Sequence, residues 1–236
     1  MSNEVIILAG TAATIGFLHT ILGPDHYLPF IVLSKARQWP KVKTLVITFL
    51  CGIGHVLSSI ILGFVGIALG IAIFKLEAIE SFRGDIAAWL LLTFGFTYFI
   101  WGIHRAFRKR THDHDHIHER GVAHIHSHNH FTDHSHPHDM KVASLTPWVL
   151  FTIFVFGPCE PLIPLIMYPA ATNNMLSVAI VASVFGFVTI GTMLSIVLIA
   201  SFGLSNLPLR RLERYSHALA GLVIFLSGGA IKFLGF

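Results

Sequence analysis

Six long apolar blocks constrain this chain most strongly, because each is long enough to cross a lipid bilayer. A helix needs roughly 20 apolar residues to span the hydrocarbon core. The blocks run over Val5–Leu33, Thr44–Phe74, Ile86–Phe107, Leu145–Ala171, Met175–Leu204 and Tyr215–Phe236. Backbone groups in lipid must pair within the protein, and no block alternates like a barrel strand. We therefore expect an all-α integral membrane protein with six transmembrane helices.

The charge content supports a bilayer as the main partner. Only 12% of the 236 residues are charged and 54% are hydrophobic, whereas soluble domains carry about 25% charged residues. The Lys and Arg residues lie beside the apolar blocks, and no nucleic-acid-binding motif is present. The first block lacks a basic leader and a small-x-small cleavage site, so we expect a retained span. We expect no extracytoplasmic disulfide framework, because Cys51 and Cys159 both lie inside apolar blocks.

The loops between the blocks alternate in charge. The first, third and fifth loops are basic, and the other two are neutral or balanced to acidic. Because basic loops stay in the cytoplasm, the positive-inside rule places both termini outside. We expect a multi-pass protein of the cell (inner) membrane, with the loop between the third and fourth blocks in the cytoplasm.

Short matches between the two halves indicate an internal repeat. Gly23-Pro24 in the first block corresponds to Gly157-Pro158 in the fourth, and GFTYFIWG in the third corresponds to GLVIFLSG in the sixth. Three helices per half would make the second half insert upside down, which is a transporter architecture. We predict a 3+3 inverted repeat, with residues 1–107 and 142–236 as the two halves and 108–141 as a connecting loop. The matches are short and apolar, so chance similarity stays open.

The Gly-Pro pairs predict breaks in the first and fourth helices, and metal-binding side chains lie beside them. Proline removes a backbone donor and restricts the preceding residue, so the helix opens there. Ionisable groups are costly inside a membrane and usually have a function. Imidazole, carboxylate and thiolate together suit a transition metal. The candidate ligands are His19, Asp25, His26, His55, Cys159 and Glu160.

Structural explanations for several of these residues stay open. Asp25 could cap the segment that follows the break. His55 could be an interhelical hydrogen-bond residue in a Gly-rich packing seam. Cys159 could be a small buried apolar residue. Glu160, between two prolines in an apolar run, is the hardest to explain structurally.

The loop between the halves holds eleven of the sixteen histidines, mostly in His-x-His ladders. Alternate residues of an extended chain share a face, so neighbouring imidazoles can chelate one ion. A tract this polar cannot form a core, and we expect it to be disordered without metal. A merely solvated linker is the alternative. These histidines are His112, His114, His116, His118, His124, His126, His128, His130, His134, His136 and His138.

The segments HTILGPDH and GIGHVLSS resemble motifs of the nickel/cobalt transporter superfamily, in particular its nickel/cobalt efflux and urease-accessory membrane proteins. That resemblance implies metal-handling roles for His19, Asp25, His26 and His55. The spacing differs from that of the importers, with five residues between His19 and Asp25. FGPCEPLIP is also similar to the Pro-Cys element of CcdA/DsbD-type thiol–disulfide carriers. Those carriers use one cysteine in each half. Here the position of the first half that corresponds to Cys159 is Asp25, so the partner thiol is missing.

From these features we expect a transporter of divalent transition metal ions, with nickel or cobalt efflux as the main hypothesis and zinc or iron as further cargo. It would not be an enzyme and would use no organic cofactor. Protons could serve as the coupling ion, since ligands must lose protons to bind metal; a homo-oligomer stays open. The alternatives are a nickel importer or urease-maturation helper, a thiol–disulfide electron carrier, and an anion or sulfite exporter.

Overall fold

The computed structural model describes residues 3–108, 111–117, 123–129, 145–172, 174–205 and 213–234. Its helices are α1 (Asn3–Leu22), α2 (Leu28–Ala36), α3 (Lys41–Ala68), α4 (Ile73–Phe107), α5 (Thr146–Phe156), α6 (Leu162–Ala171), α7 (Met175–Ser205) and α8 (Ser216–Leu234). Short 3₁₀ turns lie at Pro24–His26 and Glu213–Tyr215. Strands β1 (Thr111–Ile117) and β2 (Ala123–Asn129) stand between α4 and α5.

Five of the described helices, α1, α3, α4, α7 and α8, are long and apolar enough to cross a membrane. Large apolar side chains on them point outward, with Ile7 68%, Phe187 82% and Ile199 71% exposed. Such exposure suits contact with lipid and would be unfavourable in water. The chain is therefore a multi-pass helical membrane protein. Orientation of its termini stays a prediction.

The predicted fourth span, Leu145–Ala171, is two short helices around a break. Helix α5 ends at Phe156 and α6 begins at Leu162. The three prolines Pro158, Pro161 and Pro164 have different places in this span. Pro158 lies in the break and Pro161 precedes α6, but Pro164 lies in the first turn of α6, where its missing N–H needs no partner. Six spans are thus not established by the structure.

The first predicted break is present as expected. Helix α1 closes with the Gly23 N–H donating to the His19 carbonyl at 3.0 Å. Gly23 then has φ −87° and ψ 95°, outside the helical region. One 3₁₀ turn follows, and α2 begins with Pro29 in its first turn. Residues 24–27 consequently do not continue the side-chain faces of α1.

The segment predicted as a loop between the second and third blocks is mostly helical. The second block ends at Ala68, and Gly70 turns the chain with φ +62°, a conformation that glycine adopts readily. Helix α4 then begins at Ile73, thirteen residues before the expected Ile86. Its first turns include a fully buried Glu80, whose Oε1 lies 2.7 Å from Nη1 of Arg83. Because Arg83 neutralises the buried carboxylate, this charged segment can form part of a packed helix.

Helices α4 and α8 pack with their backbones close together. A side chain at Gly95 or Gly102 would meet the α8 backbone, and one at Gly221 would meet the α4 backbone at Phe99. These glycines belong to the segments that matched in sequence, so the two matched segments pack against each other. In the same way α1 packs on α7 while α5 and α6 pack on α3. An inverted repeat would place helices of one half against helices of the other in this way, but the repeat itself stays a prediction.

Parts of the His-rich loop form an antiparallel hairpin instead of the expected disordered tract. In its register His112 stands opposite His128, His114 opposite His126 and His116 opposite His124. A two-stranded ladder satisfies backbone groups without a hydrophobic core. The remaining ladder histidines, His118, His130, His134, His136 and His138, lie outside the described residues.

The interior contains two apolar clusters that meet at α3. One includes Phe30, Cys51, Phe154 and Met193, and the other includes Val56, Cys159, Leu162 and Phe185. Since Cys51 and Val56 belong to different clusters, the α3 segment around His55 marks their junction. Both helix breaks approach this junction.

A buried histidine cluster at the two helix breaks

Three histidines from different elements converge at the junction. His19 lies in the last turn of α1, His26 lies in the 3₁₀ turn, and His55 lies in α3. One nitrogen from each falls within 4.8 Å of the others. His26 and His55 are each 3% exposed. The break makes this convergence possible, because it turns His26 back toward the helix that carries His19.

One atom of His55 contacts residues from both helix breaks. Its Nε2 lies 3.2 Å from Nε2 of His26 and 3.0 Å from Sγ of Cys159. The Cys159 N–H donates to Oγ of Ser59, one helical turn beyond His55. Gly157 is required beside this contact, because a Cβ there would lie 2.9 Å from Nδ1 of His55. The first break thus supplies an imidazole, and the second supplies a thiol.

The hydrogen bonds of His26 assign its tautomer. Nδ1 of His26 lies 3.0 Å from the Gly23 carbonyl and 3.1 Å from Oδ1 of Asp25, and both of these oxygens can only accept. Nδ1 of His55 lies beside Gly157 of the second break, while its Nε2 faces His26 and Cys159. Nδ1 of His26 therefore carries a proton. In the neutral ring, Nε2 of His26 then presents its lone pair toward Nε2 of His55.

Two ring nitrogens at 3.2 Å need a proton or a metal ion between them. The Cys159 thiol has one proton to share, and it can serve only one acceptor. Nε2 of His19 is also buried and has no hydrogen-bond partner among the described residues. Nitrogens on one tetrahedral metal, at about 2.0–2.1 Å from it, are about 3.3 Å apart. The three imidazoles in this arrangement fit a transition-metal ion, and the Cys159 thiol contacts one of them, His55.

Asp25 lies beside the cluster and orients it. Its carboxylate holds the far nitrogen of His26, which is the usual arrangement for a metal-binding histidine. Asp25 and His55 also line a cavity of about 30 Å³ with Gly157 and Pro158. This volume admits about one water-sized group. In the structure, Asp25 orients His26 and is not among the side chains whose ligand atoms converge, which are His19, His26 and His55.

Glu160 lies in a different place from the one its sequence neighbours suggest. Its side chain is exposed and lines a separate cleft with Glu77, Glu80 and Ser81. The sequence prediction missed Glu80, Arg83 and Ser59, which surround the second break. The i,i+3 spacing of Glu80 and Arg83 was a signal for them, because oppositely charged residues at this spacing pair on a helix.

The two cysteines have different surroundings. Cys159 contacts the histidine cluster, while Cys51 precedes His55 by one helical turn and packs with apolar side chains such as Phe30 and Phe154. Both are free thiols in this conformation. His104, near the end of α4, is exposed.

In a comparison with known proteins, a family model described as the cytochrome c biogenesis protein transmembrane region matches residues 28–230. No curated protein and no solved structure gives a significant match. The matched family is one of thiol–disulfide electron carriers, so the resemblance to the nickel/cobalt transporter superfamily is wrong. The similarity of FGPCEPLIP to the CcdA/DsbD type pointed to the correct family. The prediction of nickel or cobalt export rested on that resemblance and loses its support. Since the match covers most of the chain, the chain belongs to the cytochrome c biogenesis transmembrane family.

Proposed function

We propose that this chain transports a transition-metal ion across the membrane through the cluster of His19, His26, His55 and Cys159. The observation that carries the proposal is the convergence of one nitrogen from each of His19, His26 and His55 within 4.8 Å, with the two Nε2 atoms of His26 and His55 at 3.2 Å. The family's electron transfer needs two thiols, and this cluster holds one thiol among three imidazoles. The donor set is suited to ions that accept nitrogen and sulfur, such as zinc or copper.

Position in the fold supports transport over a static structural site. Two of the donors, His26 and Cys159, come from the two helix breaks, and each break joins two helices. Binding sites formed by broken helices at a repeat interface occur in secondary transporters. The basic α2–α3 loop predicts that α2 leads from the cluster to the cytoplasm. Small rearrangements of either break would change which donors surround the ion.

Metal binding by the purified full-length protein tests the proposal directly. We expect one tightly bound zinc ion per chain, in a site whose X-ray absorption spectrum shows nitrogen ligands and one sulfur ligand. His26→Ala should lower zinc affinity at least about tenfold, and Cys159→Ser should remove the sulfur contribution. His104→Ala is the matched control, since His104 is exposed near the end of α4. Equal affinity in His26→Ala and His104→Ala would refute the proposal.

A thiol–disulfide electron carrier is the second candidate, and the family match favours it. In that reaction Cys51 and Cys159 would form a disulfide, passing two electrons and two protons to the disulfide of an oxidised partner protein. The Cα atoms of a disulfide lie about 4.4–6.8 Å apart. Both thiols are free in this conformation, so the carrier reaction requires the two sulfur atoms to come into bonding distance.

Alkylation of the thiols distinguishes the two functions. The metal proposal predicts that both cysteines stay free after incubation with a disulfide oxidant, and that zinc protects Cys159 from a thiol reagent. It also predicts that Cys51→Ala binds zinc normally. An oxidant-dependent Cys51–Cys159 disulfide that a dithiol protein reduces would establish the carrier function instead.

A further inference from the structure

The His-rich hairpin has an order across its two strands that the sequence does not show. Strands β1 and β2 pair antiparallel, and each histidine of β1 stands directly opposite a histidine of β2. Residues directly opposite each other share a face of the sheet, and so do alternate residues of one strand. All six histidines therefore occupy one face of the hairpin. The facing pairs are His112 with His128, His114 with His126, and His116 with His124.

The register of the two strands assembles this face. A shift of one residue would place His114 opposite Ile125 or Ser127, and the histidines of the two strands would then lie on different faces. In the observed register Asp113 stands opposite Ser127 and Asp115 opposite Ile125, on the other face. The hairpin thus separates the histidines from the acidic residues.

The spacing of facing residues suits metal chelation across the strands. The Cβ atoms of directly opposite residues are about 4.5–5.5 Å apart. Two nitrogens bound to one tetrahedral ion, each about 2.0–2.1 Å from it, are about 3.3 Å apart, and two imidazoles at that Cβ spacing can reach this distance. Alternate residues of one strand are about 6.6–6.8 Å apart. The facing histidine is therefore the nearer second ligand.

The composition of the hairpin is a second reason to expect a ligand. An isolated two-stranded hairpin is marginally stable in water, and the apolar residues of these two strands are Ile117, Ala123 and Ile125. Like charges on directly opposite residues are destabilising, so protonated histidine pairs would weaken the strand pairing. A metal ion held by both members of a pair replaces their protons and joins the strands. Metal binding would thus stabilise the register that forms the site.

We propose that this face is a second metal site, in which each facing histidine pair binds one divalent transition-metal ion across the two strands. Imidazole suits ions such as zinc, copper and nickel, whereas magnesium and calcium prefer oxygen ligands. The site shares no residue with the buried cluster and does not depend on it. Each pair supplies two protein ligands, fewer than the buried cluster, so these ions bind more weakly than the ion of the cluster.

Zinc binding by the purified full-length protein tests the cross-strand arrangement. His26→Ala is the background, which disables the buried cluster, and equilibrium dialysis measures the bound Zn²⁺. The first variant adds His114→Ala and His126→Ala, which removes one facing pair and leaves two. The second adds His114→Ala and His124→Ala, which breaks two facing pairs and leaves one. We expect the first variant to bind about one zinc ion more per chain than the second, because each intact pair holds one ion.

Chelation along a single strand predicts a different result from the same two variants. Each variant loses one histidine from each strand, but the second keeps His126 and His128 as alternate neighbours and the first does not. More zinc in the first variant supports the site, and equal or less zinc in the first variant overturns it. Asp115→Asn, on the other face, is the control and should bind as much zinc as its background. Failure here leaves the zinc test of the buried cluster unaffected, because that test replaces other residues.

Discussion

At the scale of single residues, protonation of the imidazoles decides what the cluster can do. The Gly23 carbonyl and Asp25 fix the proton of His26 on Nδ1, so its Nε2 keeps a free lone pair. Sequence reasoning identified all three histidines, because ionisable residues within apolar blocks are conspicuous. It could not assign the tautomer of His26, because that depends on a carbonyl exposed by the break.

Replacement of Asp25 tests the orienting role. Asp25→Asn retains an acceptor oxygen but loses the charge that raises the basicity of His26. We expect zinc affinity to fall about 10–100-fold, the usual effect of losing such a partner, with thermal stability nearly unchanged. Competition with a chromophoric chelator measures the affinity. Asp85→Asn is the control, because Asp85 is exposed and pairs with Lys232; equal affinities in the two variants would contradict the role.

At the scale of elements, Gly-Pro pairs and glycine spacing were informative, while charged segments were misleading. The breaks after Leu22 and Phe156 follow from the restrictions that proline places on the backbone. Segment 75–85 appeared to be a loop because it is charged, but an ion pair buries Glu80 within α4. Glu160 was assigned to the histidine site because it follows Cys159. Adjacent side chains in a non-helical break point in different directions. The sequence does not show these directions, and in the structure Cys159 faces His55 while Glu160 faces a separate cleft.

The α4–α8 crossing gives a prediction at this scale. Gly95→Ala places a methyl group against the α8 backbone at Phe225. Backbone cannot move aside as a flexible side chain can, so the helices must separate, at a cost of about 1–3 kcal/mol. The melting temperature in detergent should fall relative to wild type. Gly10→Ala is the control, because nothing lies within 4 Å of a Cβ at Gly10; an equal melting temperature in both variants would refute the close packing.

At the scale of the whole molecule, composition and apolar blocks were sufficient to predict a helical membrane protein. They could not distinguish related membrane families, because short motifs such as GPDH carry little information about ancestry. The family match corrected that assignment. The donor set at the junction still differs from a pair of cysteines, so function depends on the site as well as on the family.

The His-rich loop belongs to this scale, because it connects the two halves. If it delivers metal to the buried cluster, deletion of residues 111–140 should raise the metal concentration needed for half-maximal transport and leave the maximal rate nearly unchanged. Flux measured in reconstituted vesicles over a range of zinc concentrations checks this. Complete loss of transport would show that the loop forms part of the pathway, and unchanged kinetics would show that it does not supply metal.

Transport by reconstituted vesicles tests the central claim most directly. Vesicles containing wild type, Cys51→Ala, His26→Ala or His104→Ala are offered zinc, copper, nickel, cobalt and manganese in turn, with a metal-sensing dye inside. We predict that wild type, Cys51→Ala and His104→Ala move at least one nitrogen- or sulfur-binding metal, and that His26→Ala moves it at least about tenfold more slowly. No metal flux in wild type, or flux unaffected by His26→Ala, would contradict the account.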